Sequence, residues 1–314
     1  MRSCRGHCRE RWAGCEAVRY RIRHVTHYRY SEVVSNSQHD LHLLPRDLGR
    51  QRCLSATLEI QPSPIVCRER IDYFGNRAAH VVLASAHNEL VASAHSQVEV
   101  AASDCPLADD DVVWEDAARA LADGREDLEA QEMTFPSPFI VLSKALRQYA
   151  QPSFPLGRPL LSGCVDLMGR IHHDFTYDPR ATTIATPLAE VLEKRRGVCQ
   201  DFAHLMIACL RGLGLSARYV SGYLMTTPPP GMPRLQGADA SHAWLSVWSP
   251  RFGFVDLDPT NDALVGDTHI TLAIGRDFGD VTPLRGVIHG GGKHSLRVAV
   301  DVAPDGEPVS TGDA

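Results

Sequence analysis

From Gly197 to Gly214 the chain reads as one helix with a cysteine at its opening. Gly197 and Val198 make the turn, Cys199 follows, and Phe202, Leu205, Met206, Cys209 and Leu213 then recur every three or four residues. That spacing makes one apolar stripe. Gly214 suits the position just past a helix end. A stripe of this kind must pack on something. Strand-like segments follow it at Ser216–Leu224, His242–Trp248 and Phe254–Asp258. The placement of Cys199 also has a chemical side. The thiolate, not the thiol, is the nucleophile, and the positive end of a helix with a nearby histidine favours it.

The last two strand segments flank Ser249-Pro250-Arg251-Phe252-Gly253 and read as a hairpin. With Trp248 opposite Phe254, His242 and Asp258 become diagonal neighbours on one face, within reach of long side chains. Asp256 lies one step further away, so Asp258 is the better partner for His242 and Asp256 the runner-up. The pattern fits a Cys-His-Asp triad of Cys199, His242 and Asp258. Each residue alone has an ordinary explanation: a small buried thiol, a strand-end histidine, a turn-forming Asp before Pro259. The order of the three, with the nucleophile at a helix start, favours the joint reading.

Residues 18–100 read as a β-rich N-terminal domain with strands at sandwich-like spacing. Tyr20–Ile22 and Val25–Tyr30 are partly alternating, Ser55–Ile60 alternates cleanly, Ile71–Phe74 runs into a Gly75-Asn76 turn, and Glu89–Val100 is a further strand. Residues 101–155 read as a helical connector, with helices over Val112–Leu128 and Ile140–Ala150. Residues 156–282 read as the core that carries the three candidate residues. Its helices include Leu160–His173 and Leu188–Lys194, the latter with Thr186 as N-cap and Pro187 at its first position. Residues 283–314 read as a tail with one strand, Leu296–Val302, and frayed ends from 304. Residues 1–17 read as a leader, or as an upstream extension if Val18 is the true start. They hold basic residues without an apolar stretch, unlike a secretory signal.

Composition sets several limits. With 44% hydrophobic residues in 314, a core can form without disulfides. The inner cysteines (Cys53, Cys67, Cys105, Cys164, Cys209) sit in apolar runs and read as buried thiols of a reducing, cytoplasmic compartment. A net charge of −6 without a basic stripe argues against nucleic acid. No apolar run is long enough to cross a bilayer. Cys4, His7, Cys8 and Cys15 fit no zinc spacing, and adjacent His172 and His173 before Asp174 point in different directions, so no metal and no cofactor is expected.

The motifs Gly197-Val198-Cys199-Gln200-Asp201-Phe202-Ala203, His242-Ala243-Trp244 and Asp258-Pro259-Thr260 resemble the three signatures of the transglutaminase-like superfamily. From about residue 18 to 282 the chain resembles its bacterial branch, in which a β-rich domain precedes a papain-like core. The resemblance implies an α+β fold, with the cysteine helix packed on an antiparallel sheet, and Cys199, His242 and Asp258 as the triad. Gln200 departs from animal transglutaminases, which have tryptophan there, so glutamine–lysine cross-linking is not implied.

The resulting expectation is cysteine-dependent acyl transfer on a peptide or protein amide through a thioester, by a protease or amidase or a transglutaminase. The alternative is a non-enzymatic interaction module on the same fold. The Cys199 N–H is an oxyanion donor candidate, with Gln200 and Tyr177 as lesser ones. Asp201, in the first helical turn, complements the helix dipole, its other reading being to tune Cys199. His204 lies beyond one turn from Cys199 and points elsewhere. The loop Thr226–Ala240 is expected to border the cleft. Oligomeric state is not legible.

Overall fold

Strand β1 (Ala17–Leu41) is the spine of the N-terminal half. The computed structural model of the protein describes residues 17–102, 109, 111–226 and 241–306. The leader, most of the 226–240 loop and the end from 307 lie outside the described residues. Where two short strands are expected, β1 runs unbroken for 25 residues because both its edges are paired. Its first half lies between β5 (His87–Ala101) and β14 (His294–Pro304), its second half between β4 (Arg77–Leu83) and β13 (Leu284–Gly290). β2 (Gln51–Gln61) and β3 (Val66–Ile71) complete a sheet of order β2-β5-β1-β4-β3, with β13 and β14 also on β1. The expected tail is therefore two strands of this sheet. Val300 and Val302 of β14 are buried against it, which gives this strand a place in the core.

Three helices connect the halves: α1 (Trp114–Ala122), α2 (Leu128–Glu132) and α3 (Lys144–Ala150). The first is shorter than its periodicity suggests. The third starts later than expected, where the Ser143 hydroxyl accepts the Leu146 N–H at 3.2 Å. Next come α4 (Leu160–Asp174), β6 (Thr176–Tyr177) and α5 (Leu188–Lys194). Pro187, not Thr186, stands at the N-cap of α5. The Thr186 hydroxyl is used instead by the Thr183 N–H, at 2.9 Å.

β7 (Arg196–Gly197) leads into α6 (Cys199–Gly212). The rest of the core is β8 (Ala217–Leu224), β9 (Ser241–Ser249), β10 (Gly253–Asp258), β11 (Ala263–Leu264), β12 (His269–Gly275) and α7 (Phe278–Val281). The core sheet has the order β11-β10-β9-β8-β12, antiparallel throughout. α6 packs on β8 and β9 and is covered by α3, α4 and α5. Every residue from Asp201 to Arg211 is buried, so the helix is enclosed all round and not along one stripe.

The two sheets are fastened at β12. Its free edge is met by two fully buried carboxamides of the N-terminal half. The Gln51 side chain donates to Thr271 O and accepts from Thr271 N, both at 2.7 Å. Asn76 does the same at Ile274, both at 2.8 Å. Each acts as one residue of a missing strand and pairs both backbone groups of its partner, Thr271 or Ile274.

Candidate active site

The site begins with the way α6 starts. Val198 is extended at the N-cap (φ −117°, ψ 177°), and its N–H donates to Asp201 Oδ2 at 2.8 Å. The Thr182 hydroxyl donates to the same oxygen at 2.6 Å. Asp201 thus spends its carboxylate on the helix start and on the segment before α5. Burial pushes its pKa up against these hydrogen bonds. A Cβ on Gly197 would meet the Asp201 side chain at 2.8 Å, so this cap requires glycine there. Cys199 is the first residue of the helix and is half-buried, as is Gln200.

Tyr177 arrives from β6, which pairs in parallel with β7 so that Tyr177 lies opposite Gly197. Its phenol is 53% exposed, and its pKa is raised by partial burial and by the charge of Cys199. It stands beside the nucleophile's turn, at the solvent side.

The hairpin has the expected register: Trp248 faces Phe254, Ser246 faces Asp256 and Leu245 faces Leu257. His242 and Asp258 are then diagonal, and His242 Nε2 lies 2.7 Å from Asp258 Oδ2. Across the strand pair His242 faces Gly222. A Cβ on Gly222 would sit 2.2 Å from Ile270 O and 2.3 Å from the Trp244 ring, so glycine lets that ring lie flat across β8. Asp256 is engaged elsewhere, with the Ser246 hydroxyl and with Arg50 at 3.4 Å.

Asp258 is fully buried and His242 is 9% exposed. Burial alone would lower the histidine pKa. Its hydrogen bonds with Asp258 and with the Cys199 thiol, together with their charges, outweigh burial and lift it to about 10. Asp258 shows the reverse. Burial pushes it up, but hydrogen bonds from His242, His269 and Asn261 hold it well below the usual carboxylate range. A thiol, an imidazole and a buried carboxylate in series can form a thiolate–imidazolium pair near neutral pH.

Two neighbours have no signature in the sequence. Asn261 Nδ2 donates to Asp258 Oδ2 at 2.6 Å, and His269 Nε2 lies 3.2 Å from that same oxygen. Asn261 follows the Asp-Pro turn by two residues, a position where any turn residue would serve. His269 opens β12, a strand that the pattern reading leaves unassigned. Among the described residues, His242, Asp258 and His269 bring donor atoms within 4.8 Å of one another, the one group that could hold a metal. His172 and His173 are not brought together: His172 Nδ1 is 2.9 Å from Thr260 O, and His173 is an exposed partner of Asp174. His204 points into the core, where its Nε2 accepts the Phe278 N–H at 3.1 Å.

Comparison with known proteins follows the same outline. Residues 20–99 match the bacterial transglutaminase-like N-terminal region, and residues 155–259 match the transglutaminase-like superfamily core. An uncharacterized protein of Mycobacterium tuberculosis (strain ATCC 25618 / H37Rv) is 44% identical over 291 residues, covering 91% of this chain and 93% of its own length. This chain belongs to the transglutaminase-like superfamily. Its fold is shared with a crystal structure from Cytophaga hutchinsonii, named a candidate cysteine protease, at a TM-score of 0.72. The identity there is 20%, with 94% of this chain and 93% of that one covered. Over 102 residues the chain is 30% identical to a protein-glutamine gamma-glutamyltransferase of Pseudomonas aeruginosa, covering 30% of this chain and 15% of that one. Membership supports a cysteine-type activity at the level of the transglutaminase-like family. Among the described residues no helix is long and apolar enough to cross a membrane.

Proposed function

We propose that this chain is a cysteine-dependent enzyme that transfers the acyl group of a peptide or protein amide. Cys199 is the nucleophile, His242 the acid and base, and Asp258 the carboxylate that orients the imidazole. The observation that carries this reading is the 2.7 Å contact between His242 Nε2 and a fully buried Asp258, with the thiol of Cys199 as the ring's other partner. A carboxylate only accepts, so Nε2 carries a proton and Nδ1 is left to exchange one with sulfur.

The steps follow from that tautomer. His242 Nδ1 takes the Cys199 proton, and the thiolate attacks the amide carbonyl carbon. The oxyanion of the tetrahedral adduct lies at the start of α6, where first-turn N–H groups have no intrahelical acceptor. The C–N bond breaks, the amine leaves with the proton from Nδ1, and a thioester remains on Cys199. Water, or a second amine, then attacks the thioester and gives a proton to His242, and the thiol is restored. Asp201 takes no part in proton transfer on this reading. Its work is to hold the helix start.

The likeness to a protein-glutamine gamma-glutamyltransferase favours an amine as a second acceptor besides water. One experiment covers both. The full chain is incubated with glutamine-containing peptides and a fluorescent primary amine, and Cys199 and the peptides are read by mass spectrometry. A mass increment on the Cys199 peptide, with hydrolysed or amine-coupled product, is expected, and Cys199→Ala abolishes all of them. No adduct, together with iodoacetamide labelling of Cys199 no faster than that of a free thiol at pH 6, overturns the enzyme reading and leaves an interaction module.

A further inference from the structure

We propose that His269 is a positioning residue of this site: its Nε2–H shares Asp258 Oδ2 with His242 and so sets how much of the carboxylate's charge reaches the base. The proposal rests on the triad reading above and adds a fourth side chain to it.

Asp258 is served by five donors. Oδ1 accepts the backbone N–H groups of Thr260 at 2.9 Å and Asn261 at 3.3 Å. Oδ2 accepts from Asn261 Nδ2 at 2.6 Å and faces both histidines, His242 at 2.7 Å and His269 at 3.2 Å. The turn and Asn261 already fix where the carboxylate sits. His269 therefore adds little to its position and acts on its charge. Because a carboxylate cannot donate, His269 Nε2 must carry the hydrogen. Its Nδ1 lies 3.3 Å from the Thr268 hydroxyl, which can serve it as donor or acceptor.

The ring is held for this task. It meets the fully buried Trp244 edge-on, at 5.3 Å and 83°. Trp244 can lie there only because Gly222 has no side chain. The strand behind the ring is anchored two residues on, where Gln51 pairs with Thr271. Two imidazoles and a carboxylate are also a metal donor set. Here the Asn261 amide occupies the shared oxygen and lies 3.4 Å from His242 Nε2, which places N–H groups where a cation would sit. The hydrogen-bonded reading is the one these contacts favour.

The consequence is a competition. Each N–H on Oδ2 draws on one negative charge, and what His269 takes, the His242 imidazolium does not receive. Losing the His269 donor makes the imidazolium harder to deprotonate. The groups facing His242 are Cys199 from α6, Asp258 from β10 and His269 from β12, while Gly222 of β8 offers no side chain. His172 of α4 sits behind the turn, on the Thr260 carbonyl.

The test follows Cys199 alkylation by iodoacetamide in the full chain from pH 5 to 11, read on the Cys199 peptide by mass spectrometry. His269→Phe fills the space and removes the donor, whereas His269→Gln keeps one. The upper inflection is expected to move to higher pH by roughly one unit in His269→Phe, and to stay within a few tenths of wild type in His269→Gln. Should His269→Phe not fold, His269→Leu carries the same expectation. A folded donor-less variant whose inflection stays put or falls overturns the proposal. A merely structural role would change the melting temperature and leave the inflection alone. Micromolar Zn²⁺ that blocks alkylation in wild type but not in His269→Phe would also overturn it, in favour of a cation site. His242→Ala separates the two readings. If that variant keeps the wild-type profile, the triad itself falls. If His242 controls the profile and His269 does not, only the present assignment falls.

Discussion

A thiol and an imidazole occur twice along helix α6: at its open end, where Cys199 meets His242 of β9, and inside, where the helix carries His204 and Cys209. In the interior, His204 is pushed down to about pH 4 by burial, and Cys209 up to about 12, also by burial. Both hydrogen-bond to neutral backbone groups: His204 with the Phe278 N–H, and Cys209 Sγ with Leu146 O at 3.3 Å. Even Arg211 falls to about 10 there, through burial, with its guanidinium donating to carbonyls of Phe135, Ala217 and Arg276. At the opening, Cys199 is half-buried beside a histidine lifted to about 10 by Asp258 and the thiol itself. The comparison isolates the cause. Burial makes imidazole and thiol neutral and inert, and a buried carboxylate in hydrogen-bond contact reverses the sign.

The largest effect is expected where the comparison is broken outright. Cys199→Ala or His242→Ala should each lower acyl-transfer rate by about 10³-fold or more, while Cys209→Ala should change it little. A Cys209 variant as impaired as the Cys199 one would sink the distinction between the two ends. Asp258→Asn follows, with a loss of about 10²–10⁴-fold. Without the negative charge, burial is opposed only by the contact with Cys199, so the His242 pKa should fall well below its wild-type value of about 10. Cys199 labelling near pH 7 should slow accordingly, and unchanged labelling would count against Asp258.

The two ends should also give opposite stability profiles. His242 has a folded pKa above its unfolded value, so its contribution is complete below about pH 6.5 and lost as pH rises towards 10. His204 and the buried His24, both lowered to about 4, contribute above about pH 6.5 and lose that contribution as pH falls towards 4. Each such group adds a slope of about 1.4 kcal/mol per pH unit within its window. Urea unfolding of the full chain should weaken between pH 6.5 and 4. His204→Gln, which keeps an acceptor for the Phe278 N–H, should flatten that limb. An acid limb identical to wild type would show that His204 does not titrate there.

How much of this was legible follows from how local each feature is. The start of α6, its end just before Gly214 and the hairpin register rest on neighbours within a few residues, and the shorter distance along the shared face prefers Asp258 to Asp256. His269 is different. It opens a strand buried on both faces, which shows no alternation, and meets Asp258 only because β12 crosses to the far edge of the sheet. The polar half of β1, Ser31–Asp40, does not read as strand either. It is one because β13, more than two hundred residues later, pairs with it. The enclosure of α6 is hidden for the same reason, since His204 looks like a surface residue until Phe139, Tyr219 and the Phe278 N–H are in place around it.

The smallest expected effect tests whether the N-terminal half only covers the core or also steadies the site. Gln51→Ala and Asn76→Ala each strip one carboxamide from the buried edge of β12 and leave an N–H and a C=O without partners. Each should cost about 1–3 kcal/mol, with melting lowered by a few degrees. Their consequences for the site should differ. Thr271, the partner of Gln51, is two residues from His269, whereas Ile274, the partner of Asn76, is five away, beyond a register shift between Thr271 and Ala273. Gln51→Ala should therefore disturb the pH profile of Cys199 labelling, and Asn76→Ala, at a similar stability loss, should not. Equal profiles in the two variants would mean that the opening of α6 owes its chemistry to the core sheet alone.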